Sequence, residues 1–201
     1  GRLIHKGLKS RSWLAWQIPI TTVGSHKNSR INWINKNKII KFMKGGGVPI
    51  ITGFQGINKD ERITTIGRGG SDASAIMIAK FFKAERCVIY TDVEGIYTTD
   101  PNKLKKAKKI RFISYEEMLE MASLGSKVMQ PESIQDARLN RIKIEVRSSF
   151  FKRPGTLITK KKNINSNKII TGISSTTNYS KITLIGVKDK PGVAASIFRP
   201  L

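Results

Sequence analysis

Two short stretches carry the residue types that phosphate and carboxylate chemistry needs. The first is Gly67-Arg68-Gly69-Gly70-Ser71-Asp72. A glycine-rich turn leading into a helix lets backbone N–H groups approach an anion, and the helix N-terminus adds partial positive charge there. Arg68 offers a planar fork that fits a carboxylate or a phosphate. Ser71 or Asp72 fits equally well as an ordinary N-cap, and both readings stay open at this point. The run is not a P-loop, because Gly70 is followed by Ser71-Asp72 and not by Lys and then Ser or Thr. The second stretch is Thr91-Asp92-Val93-Glu94-Gly95-Ile96-Tyr97-Thr98-Thr99-Asp100-Pro101. An Asp at the carboxyl end of a parallel strand can accept hydrogen bonds from a ribose or hold a cation. Thr98, Thr99, Asp100 and Pro101 also suit a plain turn. Two polar loops, each following a strand, predict one shared cleft.

The surrounding pattern supplies elements to position these loops. Leu14 to Val23 predicts a short strand, and Ile34 to Lys44 a basic amphipathic helix ended by Gly45-Gly46-Gly47. Val48 to Thr52 reads as a buried strand, and residues 54 to 66 as a hairpin turning at Asn58-Lys59-Asp60. Ala75, Ile76, Ile78, Ala79, Phe81 and Phe82 recur at helical spacing after the glycine loop. Cys87 to Thr91 predicts a strand, Ser114 with Glu117 a capping box, and Pro131 the first turn of a further helix to Leu139. Ile142 to Arg147 and Thr156 to Thr159 read as strands. Residues 161–168 predict a Lys/Asn-rich linker, after which Ile182 to Val187 is the clearest strand. Strands alternating with helices argue an α/β fold, with a mostly parallel sheet covered on both faces.

Composition narrows the function classes. The chain has 201 residues, and its single cysteine, Cys87, excludes an internal disulfide framework. His5 and His26 cannot build a histidine metal site alone, and no run is apolar enough over ~18 residues to span a membrane. Lys plus Arg number 37 against 14 Asp plus Glu, a net charge of +23. Such a balance raises the possibility of a nucleic-acid partner. Lysine travels with Ile and Asn throughout, as in Ile34-Asn35-Lys36-Asn37-Lys38-Ile39, so a solvated surface is the favoured reading. Cys87 is expected in the core, His26 in solvent, and Trp13, Trp16 and Trp33 in core or interface positions. Gly1 in place of Met and Leu201 after Arg199-Pro200 lead us to expect a piece of a longer protein.

Several stretches stand in a recognisable order: Gly53-Phe54-Gln55-Gly56; Gly67 to Asp72; Thr91-Asp92 with Gly95 to Pro101; Ser114 to Met118 with Gly125-Ser126-Lys127-Val128; Arg147-Ser148-Ser149; Pro154-Gly155-Thr156-Leu157; and Lys188 to Ala195. On these the chain resembles the aspartate kinases, of the amino-acid kinase superfamily, from about residue 10 to its end. The resemblance implies a three-layer α/β sandwich over residues 1–160, a linker at 161–168, and the beginning of an α+β ACT regulatory domain at 169–201. It implies transfer of the ATP γ-phosphoryl to the side-chain carboxylate of L-aspartate, with Mg²⁺. Arg68, Gly69, Gly70 and Ser71 would hold the substrate and Asp72 would organise the transfer. Thr91, Asp92, Tyr97, Thr98, Thr99, Asp100, Pro101, Lys127 and Val128 would line the nucleotide site.

It further implies a cytoplasmic homo-oligomer that binds lysine or threonine as effector at its ACT region, with no nucleic-acid or membrane partner. The alternatives are a relative acting on glutamate, acetylglutamate or uridylate, and a basic nucleic-acid-binding protein. Lys188 to Ala195 favours the aspartate branch. The family's Lys-Phe-Gly-Gly-Thr stretch is not present, so these residues alone are expected to be inactive. Asn102 stands where many relatives carry Arg after the Asp-Pro pair.

Overall fold

The computed structural model describes residues 1–126, 128–160, 170–175, 192 and 193. The linker at 161–168 and the strand expected at Ile182–Val187 lie outside the described residues, as does Lys127.

A short helix α1 (Arg2–His5) leads into β1 (Ser10–Trp13), β2 (Ile20–Ser25), β3 (Asn28–Ile34), α2 (Asn37–Lys44), β4 (Val48–Ile51), β5 (Gln55–Ile57) and β6 (Ile63–Thr65). Then follow α3 (Gly70–Phe81), β7 (Arg86–Thr91), β8 (Phe112–Ser114), α4 (Tyr115–Ser123), α5 (Pro131–Asn140), β9 (Lys143–Ser148) and β10 (Thr156–Thr159). The strands form three sheets, ordered β1-β4, β3-β2-β5-β6 and β7-β9-β10-β8. Each contains a parallel pairing: β1 with β4, β2 with β5, β7 with β9, and β8 with β10. Antiparallel contacts of β2 with β3, β5 with β6 and β9 with β10 complete the two larger sheets. The chain is α/β, with mixed pairing inside both four-stranded sheets.

Helix α3 is the element that fixes the site. Its residues serve two cores at once. Ala75, Ile76 and Ala79 pack with Ile113, Met118, Ile134, Ile144, Val146 and Ile158. Ala73, Met77, Ile78 and Phe81 pack with Trp13, Ile18, Ile20, Ile34 and Ile39. A helix apolar on several sides must be buried on several sides. Ile76, Ile134, Ile144 and Ile158 are fully buried, each contributing about 1.5–3 kcal/mol relative to exposure. The N-terminus of α3, where Gly69 ends the glycine loop, is therefore held from behind by both halves of the molecule.

Most elements lie where periodicity puts them. Strand β3 is the exception: the sequence pattern predicts no element over residues 28–33, and a helix from Ile34 that instead begins at Asn37. The pairing of β2 with β3 shifts register between Thr21 and Thr22, which face Trp33 and Ile31 and leave Asn32 unmatched. The extra residue breaks the two-residue alternation that marks a strand. Trp13 is buried edge-on to Phe42, whereas Trp16 and Trp33 stay about half exposed.

Candidate active site

The glycine loop and the segment before α5 face each other across a cleft of about 320 Å³. Phe54, Gly69, Gly70, Ser71, Asp72, Val128, Met129 and Gln130 line it. Gly69 is the N-cap of α3 in the left-handed region, at φ 70°, and no side chain caps this helix. A side chain at Gly69 would be strained, and its Cβ would stand 2.6 Å from Gln130 Cγ. At Gly70 a Cβ would fall 2.6 Å from the Phe54 ring and 2.8 Å from Ile66 Cβ. Both glycines are needed for close approach, one to the α5 side and one to the β4–β5 turn. The uncapped first turn leaves backbone N–H groups directed at the cleft, the arrangement that receives an anion.

Asp72 sits in that first turn, half-buried. Burial raises its carboxyl above the ordinary carboxylate range. Ser71 is exposed at the cleft, so neither residue acts as a side-chain N-cap. Arg68 is exposed, and its guanidinium makes no hydrogen bond or ion pair among the described residues. It is a free bidentate donor one residue before the N-cap.

The second stretch follows β7 as expected. Thr91 pairs with Ser148 at the aligned carboxyl ends of β7 and β9, and Ser149 N–H donates to the Thr91 carbonyl at 2.8 Å. Thr91 Oγ1 donates to Asp92 Oδ1 at 3.0 Å. Beyond them the chain closes a loop. Ile96 N–H donates to Thr156 Oγ1 at 2.8 Å, Tyr97 bridges Lys109, and Thr98 N–H donates to the Lys108 carbonyl at 2.9 Å. Lys108 N–H returns to Thr98 Oγ1 at 3.1 Å. Asp100 Oδ1 accepts from Asn102 N–H at 2.9 Å, so its carboxylate shapes the turn that Pro101 continues. Burial, with Glu94 alongside, pushes the Tyr97 phenol up, and Arg153 opposes the shift.

The cleft gathers Gly69, Gly70, Ser71, Asp72 and Val128 from the predicted set. Thr91, Asp92, Tyr97, Thr98, Thr99, Asp100 and Pro101 lie on the neighbouring strand end and do not line it. Phe54, Met129 and Gln130 line it without having been assigned to the site, although Phe54 stands in the Gly53–Gly56 stretch that carries the resemblance. Phe54 carries no polar signature, and Gln130 lies 58 positions from Asp72 in sequence, so only the fold brings them in. Residues 170–175 touch the second loop and α4: Ile173 N–H donates to the Thr98 carbonyl at 2.7 Å, and Thr171 Oγ1 donates to Glu117 Oε1 at 2.7 Å. Among the described residues no group of three or more His, Cys, Asp or Glu is placed to hold a metal ion. No described helix is long and apolar enough to cross a membrane.

The sequence profile of the amino acid kinase family matches residues 1–148. An aspartokinase of Thermus thermophilus is 41% identical over 195 residues, covering 97% of this chain and 48% of that protein. An aspartate kinase of Pseudomonas putida is 44% identical over 200 residues, covering 99% of this chain and 49% of that protein. The chain thus spans about half the length of these relatives. Among solved structures, E. coli aspartokinase III in complex with aspartate and ADP superposes with a TM-score of 0.72 at 32% identity, over 81% of this chain and 37% of that one.

Proposed function

Because the chain belongs to the amino acid kinase family, we propose that it carries the phosphoryl-transfer site of an aspartate kinase. The reaction moves the γ-phosphoryl of ATP to the side-chain carboxylate of L-aspartate, giving 4-phospho-L-aspartate and ADP. The observation that carries this reading is the cleft itself. An uncapped helix N-terminus and a half-buried carboxylate meet there, with the exposed Arg68 one residue before the N-cap and outside the cleft lining, in a chain more than 40% identical to aspartokinases along nearly its whole length.

Phosphoryl transfer asks the protein chiefly for positioning and charge stabilisation. Arg68 grips a carboxylate of the amino-acid substrate with two parallel N–H donors. The N–H groups of Gly70 and Ser71, with the Ser71 hydroxyl, orient the acceptor at the N-terminus of α3. Asp72, held on the same turn, organises the charged groups around the transferred phosphoryl. Thr91, Asp92 and Tyr97 take the nucleoside end, Lys127 and Val128 complete that side, and the Thr98–Pro101 turn shapes the wall. Mg²⁺ normally keeps several waters and binds through one or two carboxylates plus substrate phosphates. Asp72 is the cleft carboxylate that would hold it, and the ion would neutralise charge on the phosphates. The reading extends to a cytoplasmic homo-oligomer whose region beyond residue 169 binds an amino-acid effector such as lysine or threonine. Nucleic acid is not among the proposed partners.

The test is an ADP-release assay on the complete protein, offering aspartate, glutamate, N-acetylglutamate and UMP in turn. Aspartate-dependent release is expected. In the same assay Arg68→Lys should raise the KM for aspartate by at least about tenfold, because a point charge cannot reproduce a bidentate fork. Turnover with another acceptor in preference to aspartate would overturn the reading.

A further inference from the structure

Ser74 belongs to the loop-bearing helix but does not line the cleft. It is 2% exposed, one turn into α3. Its hydroxyl donates to the Gly70 carbonyl at 2.6 Å and accepts the Phe54 N–H at 3.0 Å. One oxygen therefore ties the turn after β4 to the first turn of α3. Phe54 is held in the left-handed region at φ 65°, an uncommon conformation for a bulky residue. Its carbonyl accepts Ile66 N–H at 3.1 Å, and its ring packs where a Gly70 side chain would otherwise stand. Gly53, just before it, lies open to Ser74 and Ser71, with room for a Cβ at 3.6 Å or more. The Phe54 ring and residues Gly69–Asp72 are opposite walls of the same cleft.

A buried hydroxyl satisfied on both sides is costly to lose, because its removal leaves the Phe54 N–H without a partner. The strained Phe54 backbone persists only while its surroundings enforce it. We infer that Ser74 is a positioning residue: through Phe54 N–H and the Gly70 carbonyl it sets the separation of the Phe54 turn from the Gly69–Asp72 loop, and with it the fit of the acceptor amino acid. This rests on the reading that the Gly69–Asp72 cleft receives the acceptor. The hydroxyl makes no hydrogen bond to the nucleotide-side residues Thr91, Asp92 and Tyr97, so the effect falls on one substrate.

The experiment uses Ser74→Ala and Ser74→Thr in the complete protein, with aspartate and ATP varied separately and amide hydrogen exchange followed by mass spectrometry. Ser74→Ala should raise the aspartate KM roughly tenfold and leave the ATP KM within about twofold. Exchange in the peptide containing Phe54 should accelerate, while peptides from β9 stay unchanged. Ser74→Thr, which keeps the hydroxyl, should restore both readouts. An alanine variant with unchanged aspartate KM and unchanged Phe54 exchange overturns the proposal. So does a threonine variant that melts like the parent yet is as impaired as alanine, or an equal rise in both KM values. Should the parent protein show no aspartate-dependent turnover, the functional reading fails. Accelerated Phe54 exchange in the alanine variant and its rescue by threonine would still establish the tether, and their absence would remove it.

Discussion

At Asp72 the requirements of folding and of chemistry oppose each other. Burial raises its carboxyl, so folding disfavours the charged form. A carboxyl raised on folding adds no penalty below its unfolded pKa and an increasing one as pH climbs through the folded value. Asp72→Asn removes that penalty. The ligand-free variant should melt above the parent near ~pH 7, and the difference should vanish by about pH 4. The same substitution should lower kcat by roughly 10²-fold, as removal of one preorganised electrostatic partner does, with a smaller change in the aspartate KM. A melt lower than the parent at neutral pH would refute the burial argument, and an unchanged kcat the assigned role. Cys87 reports on the same charge. Burial first, and the Asp72 carboxylate second, push its thiol up to about 11. It is then protonated at ~pH 8, and alkylation of the folded protein should be slow. In Asp72→Asn the pH profile of Cys87 alkylation should move to lower pH. If it does not move, the two groups are not coupled.

Helix α4 follows both loops in the chain, and its start is set by a complete capping box. Ser114 Oγ accepts the Glu117 N–H at 3.1 Å, and Glu117 Oε2 accepts the Ser114 N–H at 2.9 Å. Ser114 is 2% exposed, so an orphaned N–H there finds little water. Ser114→Ala should destabilise the protein by about 1–2 kcal/mol, read as a shift of urea midpoint at constant slope, while Ser114→Thr changes little. This element was legible in sequence because its signal is local: a Ser and a Glu three apart before an apolar run. The glycine loop before α3, Pro131 in the first turn of α5, and the apolar run ending at Thr91 were legible for the same reason. Strand β3 was not, because its bulge at Asn32 is a property of the pairing with β2, not of the segment. The far wall of the cleft was also hidden. Gln130 reaches Gly69 only because α3 and α5 pack on one sheet. The Phe54 N–H finds Ser74, 20 positions on, only because the fold lays the turn after β4 on the first turn of α3. The turn chemistry of Thr98 and Asp100 was weighed from sequence, and the hydrogen bonds to Lys108 and Asn102 give it substance.

Charge is a property of the whole chain. No acidic residue occurs before Asp60, and the net charge of +23 creates a positive field around any anionic ligand. Within the basic run after the second loop, individual lysines have distinct tasks. Lys109 Nζ holds Glu94 at 3.4 Å and the Pro154 carbonyl at 2.8 Å, and Lys103 Nζ donates to Ser175 at 3.2 Å. Lys105 and Lys106 are exposed and make no such bond among the described residues. They are free to act at a distance on an incoming nucleotide, and no hydrogen bond or ion pair among the described residues is lost with them. Reversing both removes two positive charges and adds two negative ones beside the approach path. At ~10 Å in water each unit pair contributes about 0.4 kcal/mol before screening. The Lys105→Glu, Lys106→Glu double variant should therefore lower kcat/KM for ATP roughly 3- to 10-fold at low ionic strength. The deficit should shrink to within about twofold near ~0.5 M salt, where the screening length falls below the separation. The value of kcat should stay as in the parent, since neither lysine touches the transferred group. Initial rates at several salt concentrations make the measurement. A deficit that persists undiminished in high salt would mean that these lysines hold the loop in shape, and the steering argument would fall.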